Sequence, residues 1–339
     1  MIDAFIQNLK ESLAKPKKVT IIPHRNADGD ALGSSLALKL FLRQKGHEVH
    51  VVSPNDYPSF LKWLPGESEV LKYNRTPKLA RDTIRKADLI FTLDFNSLSR
   101  IEDLTNIVKN ASGDKIMIDH HEDPEDFALF QYSDTSMSST CEMVYNVINL
   151  IDQTQFNIEI ASCLYTGIMT DTGSFRYPST TSKTHNAIAH LIEIGANGSE
   201  IHQKIYDSSS FNRLKLLGIT LSNLIKIPNY PVVYMTLNQN ELKSCDFKKG
   251  DTEGFVNYGL TLKDVIFSCI MIENESEGKI KMSFRSQGAF SVNDFAKTYF
   301  NGGGHNNAAG GMSFDNMQDT IERFKKAVNK VSLRLKEDL

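Results

Sequence analysis

Cysteine is scarce. The 339 residues hold four, Cys141, Cys163, Cys245 and Cys269, with no C-x-x-C spacing. That excludes a thiolate zinc site and a vicinal redox pair, and leaves thiols that pack in apolar surroundings, as expected in a reducing cytoplasm. No segment approaches the ~18 unbroken apolar residues of a membrane span, so no membrane partner is expected. The opening MIDAFIQNLKESLAKPKK lacks the basic start and continuous apolar core of a leader. It reads instead as an amphipathic helix with Phe5, Ile6, Leu9 and Leu13 on one face, which places the protein in the cytoplasm. An excess of positive charge is also missing: the formal net charge is −3. Bulk attraction for long nucleic acid is thereby excluded, and an anionic ligand should be short. Internal repeats and low-complexity tracts are absent.

What is present is alternation. VTIIP (19–23), HEVHVVS (47–53), DLIFTLD (88–94) and KIMIDHH (115–121) are short β-rich runs, separated by helical patterns at Ala31–Gly46 and Leu98–Ala111. This predicts an α/β fold with a parallel sheet. From Ser139 the pattern turns helical, opened by a capping-box signature of Ser139 with Glu142. Strand signals return after about residue 222, including a hairpin whose turn centres on Glu277-Gly278. The length suggests two domains. We place a first domain over 1–195, a helical connector over 196–221 and a second, smaller α/β domain over 222–339.

The acidic residues and histidines fall at one edge. His24, Asp28 and Asp30 follow the first strand, Asp94 closes the third, Asp119, His120 and His121 close the fourth, and Asp171 in TDTGSF could reach the same crevice. In an open parallel sheet, ligands bind at the carboxyl ends of the strands. Carboxylates with imidazoles suit Mn²⁺ or Mg²⁺, with Mn²⁺ favoured by the nitrogen donors. There are too many such groups for one ion, and two bridged ions would serve phosphoryl chemistry. Gly29 is expected to take a positive φ so that Asp28 and Asp30 both face inward. In the second domain NGGGHNNAAGG (301–311) reads as a glycine-rich loop that exposes several N–H groups around His305. Arg285 in SFRSQG is its expected partner in holding a phosphate.

Each piece alone has a plainer reading. A DGD after a strand is usually a solvated turn, a DHH triplet can cap a surface, and GGGH can be a flexible loop. His47, His50, His185, His190 and His202 read as structural or solvent-facing. Phe290, Tyr299 and Phe300 lie near the clamp, but aromatics at that spacing are more often core.

Together, His24-x-x-x-Asp28-x-Asp30, Asp94, Asp119-His120-His121 and Asp171, followed by Arg285 and GGGHNNAAGG, resemble the full motif set of the DHH phosphoesterase superfamily over most of the chain. The compact form resembles the bacterial nano-RNases, the bifunctional oligoribonuclease and adenosine 3′,5′-bisphosphate phosphatase group. The resemblance implies a DHH catalytic domain and a GGGH substrate-binding domain. It implies His24, Asp28 and Asp94 on one metal ion and Asp30, Asp94, His120 and Asp171 on the other. Asp119 would orient its neighbours, and His121 would approach the scissile phosphate or the leaving group. Arg285, Ser286, Gly302, Gly303, Gly304 and His305 would hold the substrate's other phosphate or terminal nucleotide. Ala27 stands where many relatives carry proline, and Asn306 follows the GGGH histidine where relatives vary.

The implied activity is Mn²⁺-dependent hydrolysis of very short single-stranded RNA to nucleoside monophosphates, with Mg²⁺ as the other candidate ion. Removal of the 3′-phosphate of adenosine 3′,5′-bisphosphate is the implied companion activity. Rival readings are a phosphodiesterase for linear or cyclic signalling dinucleotides and an inactive nucleotide-binding regulator. A homodimer is an open partner choice.

Overall fold

Five of six residues in the strand Lys18–Pro23, and all of those in Leu89–Leu93, are buried, as expected where helices cover both faces of a sheet. The computed structural model describes residues 2–207 and 209–337. It divides into two units at residues 208/209.

In the first unit the strands are β1 (Lys18–Pro23), β2 (Glu48–Ser53), β3 (Leu71–Lys72), β4 (Leu89–Leu93), β5 (Asp114–Asp119) and β6 (Phe130–Ser133). They pair in the order β3-β2-β1-β4-β5-β6, every pair parallel. The two edge strands are additions to the four predicted; they are too short to show a β pattern in the sequence. The helices are α1 (Ile2–Ser12), α2 (Gly29–Gln44), α3 (Pro77–Arg85), α4 (Thr105–Lys109), α5 (Thr140–Asp152), α6 (Ile158–Asp171), α7 (Ser182–Ile194) and α8 (Gly198–Tyr206). Phe5, Ile6 and Leu9 of α1 join the apolar core that α2, α5 and α6 share with one face of the sheet. Ala80, Ile84, Ile101, Leu104 and Val108 cover the other face. Strand order reverses between β1 and β4, which opens a crevice at their carboxyl ends.

Three local expectations change. Gly29 is the first residue of α2 and does not have a positive φ. Glycine is required there because a Cβ would run into the Thr170 side chain of α6. At Gly33 the corresponding atom would lie 2.6 Å from the Cys163 carbonyl. These glycines let α2 and α6 approach closely, which carries Asp30 and Asp171 toward each other. The helix expected over Leu98–Ala111 is a 3₁₀ segment, Leu98–Leu104, interrupted at Glu102 (φ 42°) and followed by the short α4. The capping box at α5 is half formed. Ser139 accepts from the Glu142 amide at 3.0 Å, but the buried Glu142 carboxylate accepts instead from the hydroxyls of Ser138 and Thr184.

The second unit contains α9 (Phe211–Ser222), β7 (Ile225–Lys226), β8 (Val232–Leu237), α10 (Gln239–Ser244), β9 (Phe267–Asn274), β10 (Lys279–Ser286), α11 (Val292–Tyr299), β11 (Gly303–His305), β12 (Ala308–Ser313), α12 (Met317–Lys330) and α13 (Ser332–Glu337). Its sheet runs β11-β12-β10-β9-β8-β7, with only β8 and β9 parallel. The hairpin turns as expected, through Glu275–Glu277 and a left-handed Gly278 (φ 59°). The stretch 196–221 holds two helices, α8 in the first unit and α9 in the second. Phe267, Phe284, Phe295, Phe300 and Phe324 pack in one core through edge-on, tilted and stacked ring contacts, and both Phe290 and Phe300 are buried within it. Among the described residues no helix is long and apolar enough to cross a membrane.

Candidate functional site

The loop after β1 supplies His24, Asp28 and Asp30. The His24 Nδ1 lies 2.9 Å from the Arg25 carbonyl, which only accepts, so Nδ1 carries a proton and Nε2 is the atom that would meet a metal ion. That Nε2 faces carboxylates, 3.4 Å from Asp94 Oδ2 and 3.8 Å from Asp28 Oδ2. His120, at the end of β5, repeats the arrangement. Its Nδ1 is 3.2 Å from the Met137 carbonyl. Its Nε2 lies 3.5 Å from Asp94 Oδ1, 3.5 Å from Asp171 Oδ2 and 3.8 Å from Asp30 Oδ2. Asp94 therefore turns one oxygen toward each histidine. The candidate ligand atoms of His24, Asp28 and Asp94 fall within 4.8 Å of one another, and so do those of Asp30, His120 and Asp171.

Backbone and hydrogen bonds hold these groups in place. Asp28 is the N-cap of α2, where its Oδ1 accepts from the amides of Asp30 and Ala31 at 3.1 and 3.0 Å, while Oδ2 faces His24. Asp30 is buried against the start of α5 and accepts from Thr140 N at 2.7 Å and Cys141 N at 2.8 Å. The partial positive charge of that helix end supports an ionised carboxylate. Asp94 sits at φ 66°, a left-handed backbone uncommon for a residue with a side chain, and Thr140 donates its hydroxyl to Asp94 Oδ1 at 2.9 Å. Asp171 is the last residue of α6.

Proton affinities follow the crowding. Burial pushes the His24 imidazole down, but the Asp28 and Asp94 carboxylates more than reverse this and raise it to about 10. His120, also penalised by burial, is carried well above its usual value by Asp94, Asp171 and Asp30. Burial and the negative charges of Asp94 and Asp171 push Asp30 well up. Burial works to raise Asp94 too, yet its bonds to His120 and His24 hold it well below the usual carboxylate range. Carboxylates gathered around two imidazole nitrogens call for cations between them, protons in the metal-free protein and metal ions in their place when bound. Two nitrogens and four carboxylates, with each imidazole oriented by a carbonyl at its far side, are a donor set that fits divalent ions.

Asp119 and His121 form a separate pair. Asp119 is fully buried; its Oδ1 accepts from His121 Nδ1 at 2.7 Å and its Oδ2 from the His121 amide at 3.1 Å. On the other side of the ring, Arg100 Nη2 lies 3.3 Å from His121 Nε2. A guanidinium only donates, so Nε2 accepts and the proton resides on Nδ1. In this arrangement His121 must first gain a proton before it could protonate a leaving oxygen.

In the second unit, Arg285 on β10 pairs with Ala308 on β12, and Ala308 pairs with His305 on β11. The two cationic candidates thus stand in one row across three strands, roughly 10 Å apart at strand spacing, with a small residue between them. The glycine-rich stretch is a hairpin and not an open loop. The Gly302 amide donates to the Ala296 carbonyl and the Gly304 amide to Asn293 Oδ1, at 3.2 and 2.9 Å, so neither is offered to a ligand. The glycines answer a steric need: a Cβ on Gly302 or Gly304 would strike the backbone of β12. Ser286 is likewise engaged, donating to the Phe290 carbonyl at 2.6 Å and accepting from Asn307 Nδ2 at 2.9 Å.

Two site residues were not read from the sequence. Thr140 gives no signal beyond its place after an N-cap serine, whereas Arg100 lies six positions after Asp94, within reach of the same strand end.

Models of the DHH family N-terminal domain and of the DHHA1 domain match residues 18–168 and 229–333. The chain is 30% identical over 318 residues to a bifunctional oligoribonuclease and PAP phosphatase of Thermus thermophilus, covering 91% of this chain and 89% of that protein. A Bacillus subtilis protein of the same description is 29% identical over 304 residues, with 86% and 88% coverage. A crystal structure described as an exopolyphosphatase-related protein from Bacteroides fragilis superposes with a TM-score of 0.94 at 40% identity, covering 98% of both chains.

Proposed function

The chain belongs to the DHH family, and from that premise we propose that it is a phosphodiesterase that hydrolyses very short RNA to nucleoside monophosphates and also removes the 3′-phosphate of adenosine 3′,5′-bisphosphate. One observation carries the reading: Asp94 turns its two oxygens to two different histidines, each with its Nδ1–H tied to a backbone carbonyl and its Nε2 directed at carboxylates. His24, Asp28 and Asp94 would hold one divalent ion; Asp30, Asp94, His120 and Asp171 would hold the second, with Mn²⁺ preferred for its tolerance of nitrogen donors. Such a pair supplies Lewis-acid activation of water and neutralises charge at the phosphoryl centre.

The chain's own residues then prepare the site. Asp30 is fixed by the two amides at the start of α5, and Asp28 by the first turn of α2, so neither carboxylate reorganises during a cycle. Asp119 holds His121 as the Nδ1–H tautomer, so that Nε2, which accepts from Arg100, is the atom that would take up a proton beside the phosphate. Arg285 and His305, on their shared row of the second unit's sheet, hold an anionic group of the substrate. A clamp with few charges favours oligomers of few nucleotides.

The test is a chromatographic assay with Mn²⁺ on 5′-phosphorylated RNAs from dinucleotide to about twenty nucleotides, with adenosine 3′,5′-bisphosphate, pyrophosphate and polyphosphate beside them and an Asp30→Ala control. Release of mononucleotides fastest from the shortest RNAs, absent in the control, is the expected result. Turnover confined to pyrophosphate or polyphosphate would keep a hydrolytic metal site and discard the RNA substrate.

A further inference from the structure

Arg100 stands where three ligand-bearing loops meet. Its carbonyl accepts from the Arg25 amide at 2.9 Å, joining it to the loop of His24. Its own segment is laced to the loop after His121: Glu125 N donates to the Asn96 carbonyl at 2.8 Å, Ser97 Oγ to Glu125 Oε1 at 2.7 Å and Leu98 N to Glu125 Oε2 at 3.1 Å. The position of the guanidinium is therefore set by the same backbone that places His24, Asp94 and His121.

Among the described residues its charge has no counterion. The nearest acid in sequence, Glu102, is taken by Arg25 at 2.7 Å. Among the described residues the Arg100 side chain has one hydrogen-bond partner, the His121 ring, and no ion pair. One of its five N–H donors is engaged. A half-buried guanidinium in that state is disposed to take an anion. The protein's acids do not fill the role: the four aspartates among the candidate ligands match the charge of two divalent ions, and Asp119 faces the opposite side of the His121 ring.

We propose that Arg100 is a phosphate-binding residue of the hydrolytic site, gripping a non-bridging oxygen of the phosphate under attack through the donors that His121 leaves unused. The assignment rests on the phosphoester reading above. The planar fork of arginine suits phosphate oxygens, and a lysine would supply charge with only part of the geometry.

The experiment compares the unmodified protein with R100Q and R100K in three measurements: kcat/KM for the RNA dinucleotide pApA and for bis(p-nitrophenyl) phosphate, the Kd of inorganic phosphate for the Mn²⁺-loaded protein by calorimetry, and the Kd of Mn²⁺ itself. R100Q is expected to lower kcat/KM on both diesters by the same factor, roughly 10²-fold, because it meets the phosphate that both share. Phosphate affinity should fall about tenfold, R100K should recover part of each loss, and Mn²⁺ affinity should stay within about twofold. Unchanged phosphate affinity in R100Q, or a loss of activity that tracks weaker Mn²⁺ binding, overturns the assignment and makes Arg100 a structural tie. If the unmodified protein leaves pApA intact while R100Q still weakens phosphate binding, the RNA reading falls and the assignment of Arg100 stands.

Discussion

Asp30 and Thr140, 110 residues apart in sequence, meet at 2.7 Å, the carboxylate of the first accepting from the amide of the second. The contact joins the loop after β1 to the start of α5. Asp94 is drawn into the same contact, since the Thr140 hydroxyl donates to it at 2.9 Å. Two carboxylates, Asp30 and Asp94, are thus set by one helix terminus, and the predictions below depend on that rigidity.

Replacing Asp94 with Asn keeps the size of the side chain and tolerates the left-handed backbone. It removes the charge that faces both histidines. Activity should fall by more than roughly 10³-fold, and the metal-free protein should melt lower than the unmodified one at neutral pH, because the Asp94 charge supports the protons of His24 and His120. Steady-state kinetics and a thermal melt, run in parallel, check it; retention of more than a tenth of the activity would show that Asp94 does not bridge.

Proton linkage gives the pH dependence of the metal-free protein. The folded-state affinity of His24 for its proton is raised from 6.5 to about 10, so its contribution to stability is complete below about pH 6.5 and is lost as the pH rises toward about 10. His120 is raised in the same direction. Metal ions would replace those protons, so Mn²⁺ affinity should increase over the same interval. Melts in chelator should decline from pH 6.5 upward, and calorimetry should show proton release on Mn²⁺ binding; a flat apo profile with no proton release contradicts the site.

Gly167 tests the close approach of α6 to α5 and α2. A Cβ there would overlap the Cys141 side chain and stand 2.9 Å from Asp30 Oδ1. Gly167→Ala should cost about 1–3 kcal/mol of stability and lower activity, and adding Cys141→Ala should restore part of both. Urea denaturation of the single and double variants decides; additive losses would mean that the overlap is not the cause.

The second unit should act on substrate choice and not on chemistry. Arg285→Gln or His305→Ala is expected to raise KM for RNA dinucleotides by roughly tenfold and to leave bis(p-nitrophenyl) phosphate hydrolysis nearly unchanged. Equal losses on both substrates would place these residues at the hydrolytic centre.

The parallel sheet, the strand-end location of His24, Asp94 and His120, and the helices from Ser139 onward were legible in the sequence, because hydrophobic period and strand-to-helix alternation are local properties. So was the donor set, since carboxylates and imidazoles at strand ends carry their chemistry with them. The role of the glycines was not. Gly29 reads as a turn residue, yet what demands it is Thr170, 141 positions away; the GGGH stretch reads as an open cradle, yet its amides are engaged by α11 and its Cβ positions by β12. Ser286, which the resemblance implies as a substrate contact, is bonded to Phe290 and Asn307. Sequence determined which groups were available and which strand ends would carry them. Tertiary structure alone decided which oxygen of Asp94 faces which histidine, which donors are already engaged and that Arg100 meets His121 and no acid among the described residues, because each of these depends on contacts between segments tens to more than a hundred residues apart.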